Sequence, residues 1–313
     1  MLVSVVIPTK DRPVPVYGAV RSVFDGTYQN FELFVIDQSA DDATRDALFP
    51  FAEDPRFHYR RNTRAARGGA SSRNVGIALS AGEIVATTDD DVTVDKNWLA
   101  NMVKEFEADP VLQFLCGKVT APPHDRSANF IPDFDTDYWS PQLTDWTMPF
   151  HISGGNFSMR RDLFDRVGGY DESFVTGTPL NCEDGDIGFR IMRAGAKWKV
   201  SSAVEVEHTH SFYNRADGAK VINGYSLGTG AAYGRYARRG DVYAGLWFLQ
   251  FQMREMATIV ARSLVRRQRP RGLGWIRWRL VGFWRGLLLP PRQGFVTGAD
   301  LARMREQLLR EET

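Results

Sequence analysis

The chain has 313 residues, of which 43% are hydrophobic and 12% aromatic, enough to bury a large core and to exclude a disordered protein. Its two cysteines, Cys116 and Cys182, are too few and too isolated for a disulfide framework or a zinc knuckle, which suits a reducing compartment. The net charge of +1 conceals an asymmetry, because residues 1–210 hold 21 basic and 31 acidic side chains whereas residues 211–313 hold 18 and 7.

The first hundred residues alternate strand-like and helix-like segments. Short β-branched or aromatic runs predict strands at 2–7, 31–37, 56–61 and 83–89. Helical spacing predicts helices near 14–25, 41–50 and 70–81. This alternation is typical of βαβ units and a mostly parallel sheet, in which ligands bind at the carboxyl ends of the strands.

A basic glycine turn opens the third predicted helix. Arg64, Arg67 and Arg73 surround Gly68 and Gly69. Backbone N–H groups at a helix start, together with arginine side chains, suit a phosphate. The glycine spacing matches neither a P-loop nor a GxGxxG motif, so an ordinary basic turn is the alternative.

Polar clusters follow three of the predicted strands, with the sequences PTKDR, DQSADD and DDD. The last of them, Asp89, Asp90 and Asp91, places three like charges together, which costs stability unless a cation compensates them. An Asp-x-Asp spacing at a strand end lets two carboxylates approach one hard cation such as Mg²⁺ or Mn²⁺. A solvated turn or an acidic start to the next helix explains the triplet alone equally well.

Residues 101–212 mix strand candidates, at 113–119, 150–159 and 196–208, with a long polar loop at 120–150. So long an irregular segment is more often functional than a plain connector, and we expect it to carry acceptor specificity.

Two later motifs carry groups that can do chemistry. NCEDGDIGFRIMRAG places Glu183, Asp184 and Asp186 at the start of an amphipathic helix, where the helix dipole alone favours carboxylates. If that helix start faces the strand ends, one of these carboxylates can act as a general base. VEVEHTHSF predicts a strand with His208 and His210 on one face, and a polar strand edge is the simpler interpretation unless the aspartate triplet lies nearby.

From residue 213 onward the pattern is helical, with breaks at Gly240, Pro270 and Pro290. Segment 262–292 has nine arginines, no acidic residue and three tryptophans, a composition that suits an anionic membrane surface. Packing against the rest of the chain and a homo-oligomer contact are the alternatives. A nucleic-acid patch is a weaker one, and no nucleic-acid partner is expected. The sequence predicts neither a transmembrane helix nor a signal peptide.

The order of these motifs resembles that of family 2 glycosyltransferases with the GT-A fold. The segments that carry the resemblance, over about residues 2–212, are VSVVIPTKDRP, FELFVIDQSADDAT, RGGASSRNVGIALSAGEIVATTDDDV, SGGNFSMRRDLFDRVGGYDESF, EDGDIGFRIMRAG and EHTHS. The resemblance implies an α/β fold, GT-A (Rossmann-like), with a mixed, mostly parallel central sheet flanked by helices. The implied domain is a GT-A domain at 1–212, with a nucleotide-binding half at 1–100 and an acceptor and catalytic half at 101–212. The helical pattern that follows predicts a helical C-terminal extension at 213–313.

The resemblance also implies roles for single residues. Asp184 matches the catalytic base, and Asp91 and, more weakly, His208 match metal ligands. The residues assigned to the nucleotide sugar are Pro8, Thr9, Asp11, Asp37, Arg67, Arg73, Asn74, Asp89, Asp90, Gly154, Gly155, Asn156 and Glu183. Which of the three adjacent aspartates binds the metal stays open.

The implied activity is the metal-dependent, inverting transfer of a sugar from a nucleoside-diphosphate sugar to an acceptor hydroxyl, with Mn²⁺ or Mg²⁺ as the cofactor. A UDP-sugar is the favoured donor, with thymidine and guanosine diphosphate sugars left open. The expected acceptor is a glycan or a lipid-linked molecule in cell-surface polysaccharide or glycolipid synthesis. The expected location is the cytoplasm, peripheral on the inner face of the cytoplasmic membrane. A catalytically silent nucleotide-sugar-binding or membrane-scaffold protein with the same fold is the alternative.

Overall fold

The computed structural model describes residues 1–64, 68–134, 153–174, 179–210, 213–270, 272–290 and 294–311. Within these residues, a mixed sheet of eight strands forms the centre of the molecule and a short two-stranded ribbon lies beside it. The strands are β1 (Val3–Thr9), β2 (Phe31–Asp37), β3 (Phe57–Arg61), β4 (Ile84–Thr88), β5 (Val92–Val94), β6 (Phe114–Thr120), β7 (Asn129–Phe130), β8 (Asn156–Arg160), β9 (Trp198–His208) and β10 (Tyr213–Asn214).

Helices connect and cover the strands. They are α1 (Pro13–Phe24), α2 (Ala43–Ala47), α3 (Gly69–Leu79), α4 (Trp98–Ala108), α5 (Leu163–Val167), α6 (Glu183–Arg193), α7 (Arg215–Arg238), α8 (Val242–Arg266), α9 (Leu273–Leu288) and α10 (Gly298–Arg310). The alternation of strands and helices predicted for the first hundred residues is confirmed, as is the amphipathic helix predicted after Cys182. The α/β fold class is therefore confirmed.

The sheet has the order β3-β2-β1-β4-β8-β6-β9-β5. The strands from β3 to β4 are mutually parallel, whereas β8 is antiparallel to both β4 and β6. The central strand β1 is apolar and almost completely buried, as expected for a parallel strand covered on both faces.

The strand order brings the predicted motifs to one edge of the sheet. Because β2, β1 and β4 are parallel neighbours, the polar clusters that follow them leave the sheet side by side. The antiparallel strand β8 begins opposite the end of β4, with Asn156 paired to Thr88. Strand β9 ends beside β5, with His208 paired to Val92 directly after the aspartate triplet. Antiparallel pairing thus adds two later segments to the edge formed by the parallel strands.

Two expectations need correction in detail. The strand predicted at 150–159 begins only at Asn156, and Gly154 and Gly155 lie in a turn before it. Residues 150–152 and most of the predicted 120–150 loop lie outside the described residues. His210 does not share a strand face with His208, because β9 ends at His208 and His210 lies in the turn that follows.

The C-terminal segment is helical, as predicted, and it returns to the sheet domain. The last helix, α10, packs on α3 and α5 and contributes Leu301, Met304 and Leu308 to the main hydrophobic core. The ribbon of β7 and β10 joins residues 129–130 to the start of α7. The division of the chain at residue 212 stays a prediction. None of the described helices combines the length and the apolar character that crossing a bilayer requires.

Candidate active site

A cavity of about 620 Å³ opens at the carboxyl edge of the parallel strands. Its wall includes the aspartate triplet, the acidic start of α6, the glycine turn before β8 and the last residue of β9. Motifs that lie up to about 200 residues apart in the sequence, from Pro8 to His208, therefore share one cavity.

Arg12 and Thr9, from the end of β1, hold the middle of the triplet. The Arg12 guanidinium donates to Asp90 Oδ1 at 2.7 Å and to Asp91 Oδ2 at 2.9 Å, and the Thr9 hydroxyl donates to Asp90 Oδ2 at 2.7 Å. Burial raises the pKa of Asp90 to about 6, against the attraction of Arg12 and together with the repulsion of Asp91. Part of the positive charge that the triplet requires thus comes from the protein itself, through a residue that the sequence reasoning did not assign.

Arg73 links the triplet to the acidic helix. This buried residue of α3 donates through one guanidinium nitrogen to Glu183 Oε1 at 2.7 Å and through the other to Asp89 Oδ1. Its guanidinium also lies over the ring of Tyr170, 5.4 Å from the centroid. One planar cation with two donating edges therefore sets the distance between β4 and the start of α6.

Asp184 follows Glu183 in the first turn of α6 and lines the cavity. Its Oδ1 is buried and has no hydrogen-bond partner among the described residues. Burial raises the pKa of Asp184 to about 7; attraction by Arg73 opposes this rise, and repulsion from Glu183 and Asp89 adds to it. A carboxylate with a pKa near neutrality and an open lone pair is suited to accept a proton.

The glycine turn before β8 lets the two acidic groups come close. A Cβ atom on Gly154 would overlap the Asp184 carboxylate, and one on Gly155 would lie 2.9 Å from Asp89 Oδ2. The constraint is stronger at Gly154, where a Cβ atom would meet the whole Asp184 carboxyl group, whereas at Gly155 it would meet only the end of the Asp89 side chain. Asn156 is placed differently, since its amide donates to the carbonyls of Lys118 and Val204 and so joins strands instead of facing the cavity.

Asp89, Asp91 and His208 could hold a cation together. One potential ligand atom of each lies within 4.8 Å of the others. His208 Nδ1 lies 2.7 Å from the carbonyl oxygen of Pro132, which can only accept, so Nδ1 donates and Nε2 is the ring nitrogen left to face a cation. Two carboxylate oxygens suit Mn²⁺ or Mg²⁺, and the additional imidazole nitrogen favours the transition metal Mn²⁺ over Mg²⁺. The proximity of the triplet to His208 was the condition under which the sequence favoured a metal-ligand role for this histidine.

The ends of β1 and β2 are tied to each other. Asp37 is buried; its carboxylate accepts from the Ser39 backbone and hydroxyl and, at 2.7 Å, from the Tyr59 hydroxyl. Asp11 accepts from the backbone of Ala40 at 3.1 Å, and its own N–H donates to the Ser39 hydroxyl. Of the four residues assigned to these strand ends, Pro8 and Thr9 line the cavity, whereas Asp11 and Asp37 organise the loop beside it.

Only part of the predicted phosphate-binding segment lines the cavity. Arg64 pairs with Glu172 at 2.7 Å, and Asn74 donates to the Tyr170 carbonyl at 2.9 Å, so both contact the segment after α5. Gly68 and Gly69 line the cavity at the start of α3. Arg67 lies outside the described residues.

Other cavity residues escaped the sequence reasoning. They include Lys10, Arg12, Asn181, Tyr225 and Thr229. Tyr225 and Thr229 belong to α7, in the segment for which no motif was recognised. Lys10 and Arg12 lie within the PTKDR cluster, so their position after the first strand was the only available signal.

Comparison with known proteins agrees with this architecture. The family model "Glycosyl transferase family 2" matches residues 4–168. A glucosyl-dolichyl phosphate glucuronosyltransferase from Haloferax volcanii is 30% identical over 182 residues, which cover 55% of this chain and 56% of the relative. A UDP-Glc:alpha-D-GlcNAc-diphosphoundecaprenol beta-1,3-glucosyltransferase from Escherichia coli is 31% identical over 103 residues, which cover 33% of this chain and 38% of that protein. The matches thus span about half or less of these relatives.

Among solved structures, the mannosyltransferase PcManGT from Pyrobaculum calidifontis, in complex with GDP-Man and Mn²⁺, superposes with a TM-score of 0.61 at 18% identity. The superposition covers 91% of this chain and 86% of that one. At this identity the likeness concerns the fold, and it confirms the expected GT-A architecture. Since the family model also covers half of the sequence, the chain belongs to glycosyl transferase family 2.

Proposed function

We propose that the protein is a metal-dependent, inverting glycosyltransferase that moves a sugar from a nucleoside-diphosphate sugar to an acceptor hydroxyl. The observation that carries the proposal is the shared cavity, in which three residues that could hold a cation and an aspartate with a pKa of about 7 face the same space. Glycosyl transfer is helped by both, because negative charge develops on the leaving diphosphate while a proton leaves the acceptor.

The donor set fits the proposed cation. Asp89, Asp91 and His208 would hold it, and when bound it would offset the charge of the departing diphosphate. Arg12 donates to Asp91, and Arg73 donates to Asp89. The protein residues thus orient both carboxylates before any ligand arrives, which reduces the cost of assembling the site.

Asp184 is the proposed base. Its Oδ1, which has no hydrogen-bond partner among the described residues, would accept the proton of the acceptor hydroxyl while the hydroxyl oxygen attacks the anomeric carbon. Transfer in one displacement inverts this carbon, so the product should have the anomeric configuration opposite to that of the donor. Gly154 supports the proposed role, because its missing side chain leaves Asp184 room at the cavity wall.

The donor and acceptor classes are proposed from the family and its members. A UDP-sugar is the favoured donor, and the Escherichia coli relative is named for UDP-Glc and a diphosphoundecaprenol-linked sugar. GDP-sugars are the next candidates, since the PcManGT complex contains GDP-Man. The Haloferax volcanii relative is named for a glucosyl-dolichyl phosphate, which supports a lipid-linked acceptor. The inner face of the cytoplasmic membrane is the proposed location of that acceptor.

A donor screen tests the proposal. Nucleoside diphosphates and their sugars are first ranked by thermal shift with and without Mn²⁺, because binding raises the apparent stability. The best donor is then assayed for hydrolysis or transfer. Asp184→Asn should lower turnover about 100- to 10,000-fold while leaving the thermal shift with nucleoside diphosphate in place.

The control is Asp162→Asn, which alters an exposed aspartate next to α5 and should leave turnover unchanged. A wild-type protein that binds the nucleotide yet turns over no donor in the presence of any acceptor would instead support the silent binding protein. An Asp184→Asn variant as active as the wild type would remove Asp184 from the mechanism. Retention of the anomeric configuration in the product would contradict the single displacement.

A further inference from the structure

Helix α8 has two apolar faces. It buries Ala244, Phe248 and Ile259 against neighbouring helices. A second set of apolar side chains, at intervals of three or four residues, is exposed to solvent and forms one stripe along the helix. This stripe, the α8 stripe, consists of Leu246, Leu249, Met253, Met256, Val260 and Leu264.

Exposure along the stripe is substantial. Leu264 is 74% exposed and Met253 is 57% exposed. Scattered exposed apolar residues are ordinary on a soluble surface, but a continuous row over about five helical turns marks an interaction surface. Helix α8 thus carries more apolar residues than it buries against the rest of the protein.

Helix α9 has a similar exposed side. Leu273, Leu280, Trp284 and Leu288 are exposed at helical spacing, and Trp284 reaches 68%. The opposite side of α9 lies against α7 with backbone contact, because a Cβ atom on Gly282 or Gly286 would overlap a carbonyl oxygen of α7. The exposed tryptophan and leucines therefore lie on the side of α9 that faces away from this contact.

The charge along the part of α8 after Glu255 and along all of α9 is of one sign. No acidic residue occurs between Glu255 and Asp300. Exposed arginines occupy the carboxyl-terminal turns of α8 and the connection to α9, namely Arg262, Arg266, Arg267 and Arg269. Apolar side chains with arginines and an interfacial tryptophan match the chemistry of a bilayer surface that carries anionic headgroups.

We propose that the α8 stripe, the exposed side of α9 and the arginines between them are a docking surface for an anionic lipid bilayer. The apolar side chains would enter the boundary between headgroups and acyl chains, while the arginines contact lipid phosphates. The surface extends back from the basic segment 262–292 to Leu246, which composition alone did not indicate.

The docking surface is joined directly to the cavity. Helix α7 carries Tyr225 and Thr229 in the cavity wall, and its Gly230 and Gly234 lie against the backbone of α9 at Arg279 and Phe283. Because backbone contacts leave little freedom for relative motion, a bilayer that binds α9 would hold the cavity at a fixed position above the membrane. This consequence rests on the proposed function, whereas docking itself does not.

Vesicle sedimentation of the full chain, without donor or metal, tests the docking surface. The wild type should bind vesicles of phosphatidylcholine with phosphatidylglycerol, weakly bind pure phosphatidylcholine, and dissociate as salt rises. Leu246→Gln with Met253→Gln should weaken binding at least about tenfold, since two apolar side chains no longer enter the bilayer. Arg262→Gln with Arg266→Gln should weaken it by about the same factor, and only on anionic vesicles.

Matched controls change equivalent residues elsewhere. Phe49→Gln with Val111→Gln removes two exposed apolar side chains, and Arg21→Gln with Arg126→Gln removes two exposed charges, and neither pair should alter binding. Equal binding by the wild type and the stripe variant would overturn the proposal. So would a stable dimer that the stripe variant abolishes, because a second copy would then cover the face. Loss of donor turnover in a variant of Asp184 with vesicle binding intact would separate catalysis from docking.

Discussion

At the residue scale, two arginines explain how three adjacent aspartates are tolerated. Arg12 contacts Asp90 and Asp91, and Arg73 contacts Asp89. The sequence indicated that a cation was required and suggested a metal. It did not indicate Arg12, because an arginine that follows a strand can point in many directions, and only the adjacency of β1 and β4 brings it to the triplet.

Replacement of Arg73 should be costly. Arg73→Met leaves the Glu183 carboxylate buried without its cation, and we expect a loss of about 3 kcal/mol in the free energy of unfolding. Urea titration measures this loss of stability. Adding Glu183→Gln to this variant should recover part of the loss, because the uncompensated charge is then absent. Arg21→Met, at an exposed pair with Asp25, should cost below about 1 kcal/mol, and an equal loss in both single variants would contradict the bridge.

Asp184 should give the protein a marked pH dependence. Its folded-state pKa of about 7 exceeds the ordinary value of 3.8, so the base form, and with it turnover, should fall about tenfold per pH unit below about pH 7. The free energy of unfolding changes in the opposite direction, because the folded protein binds the Asp184 proton more tightly than the unfolded chain does. Asp184 therefore costs no stability below about pH 4, and this cost grows with pH until it is complete above about pH 7.

Asp184→Asn should therefore raise Tm by about 2–5 °C above pH 7, with the difference vanishing near pH 4. Differential scanning calorimetry at several pH values measures this. The exposed control Asp162→Asn should show no such pH-dependent difference. A Tm difference that is constant with pH would show that Asp184 does not have a raised pKa.

At the scale of elements, the turn before β8 decides how close the two acidic centres lie. Strand β8 was predicted too early in the sequence, and its true start at Asn156 frees Gly154 and Gly155 for the turn. Periodicity cannot locate this boundary, because SGGNF is compatible with either state. The antiparallel pairing of β8 with β4 places the turn beside Asp89.

Adding a methyl group at Gly154 should reduce turnover more than it reduces the stability of the fold. Gly154→Ala would push the Asp184 carboxylate aside, and we expect turnover to fall about 100-fold, since small displacements of a catalytic group have effects of this size. Gly18→Ala is the matched control, because a Cβ atom there meets nothing within 4 Å and helix α1 should gain about 0.5–1 kcal/mol. Turnover and Tm are measured for both variants. Full activity of Gly154→Ala would contradict the close contact with Asp184.

At the scale of the whole molecule, the C-terminal helices connect a surface to the cavity. Helix α7 lines the cavity, α9 packs on α7 through glycines, and α10 returns to the main core. The sequence predicted these helices but not their partners, because helical periodicity describes a face and not what covers it. The resemblance to known glycosyltransferases also ended before this region.

The contact between α7 and α9 should be sensitive to a single methyl group. Gly282→Ala places a Cβ atom on the Leu227 carbonyl oxygen, and forcing the helices apart should cost about 1–3 kcal/mol. Urea unfolding, with limited proteolysis of the 267–272 connection, measures the effect. Gly274→Ala in the same helix meets nothing within 4 Å and should be neutral or stabilising. Equal stability of both variants would argue against the backbone contact.

The amino-acid sequence by itself determined the alternation of strands and helices, the acidic triplet, the acidic helix start and the late histidine. These follow from local patterns, since side-chain periodicity and turn residues act over a few positions. Only the tertiary structure decided that Asp89, Asp91 and His208 meet, that Arg73 joins Asp89 to Glu183, and that the basic C-terminal helices leave an apolar stripe exposed. Those relations depend on strand order and helix packing, which bring together residues that are far apart in the chain.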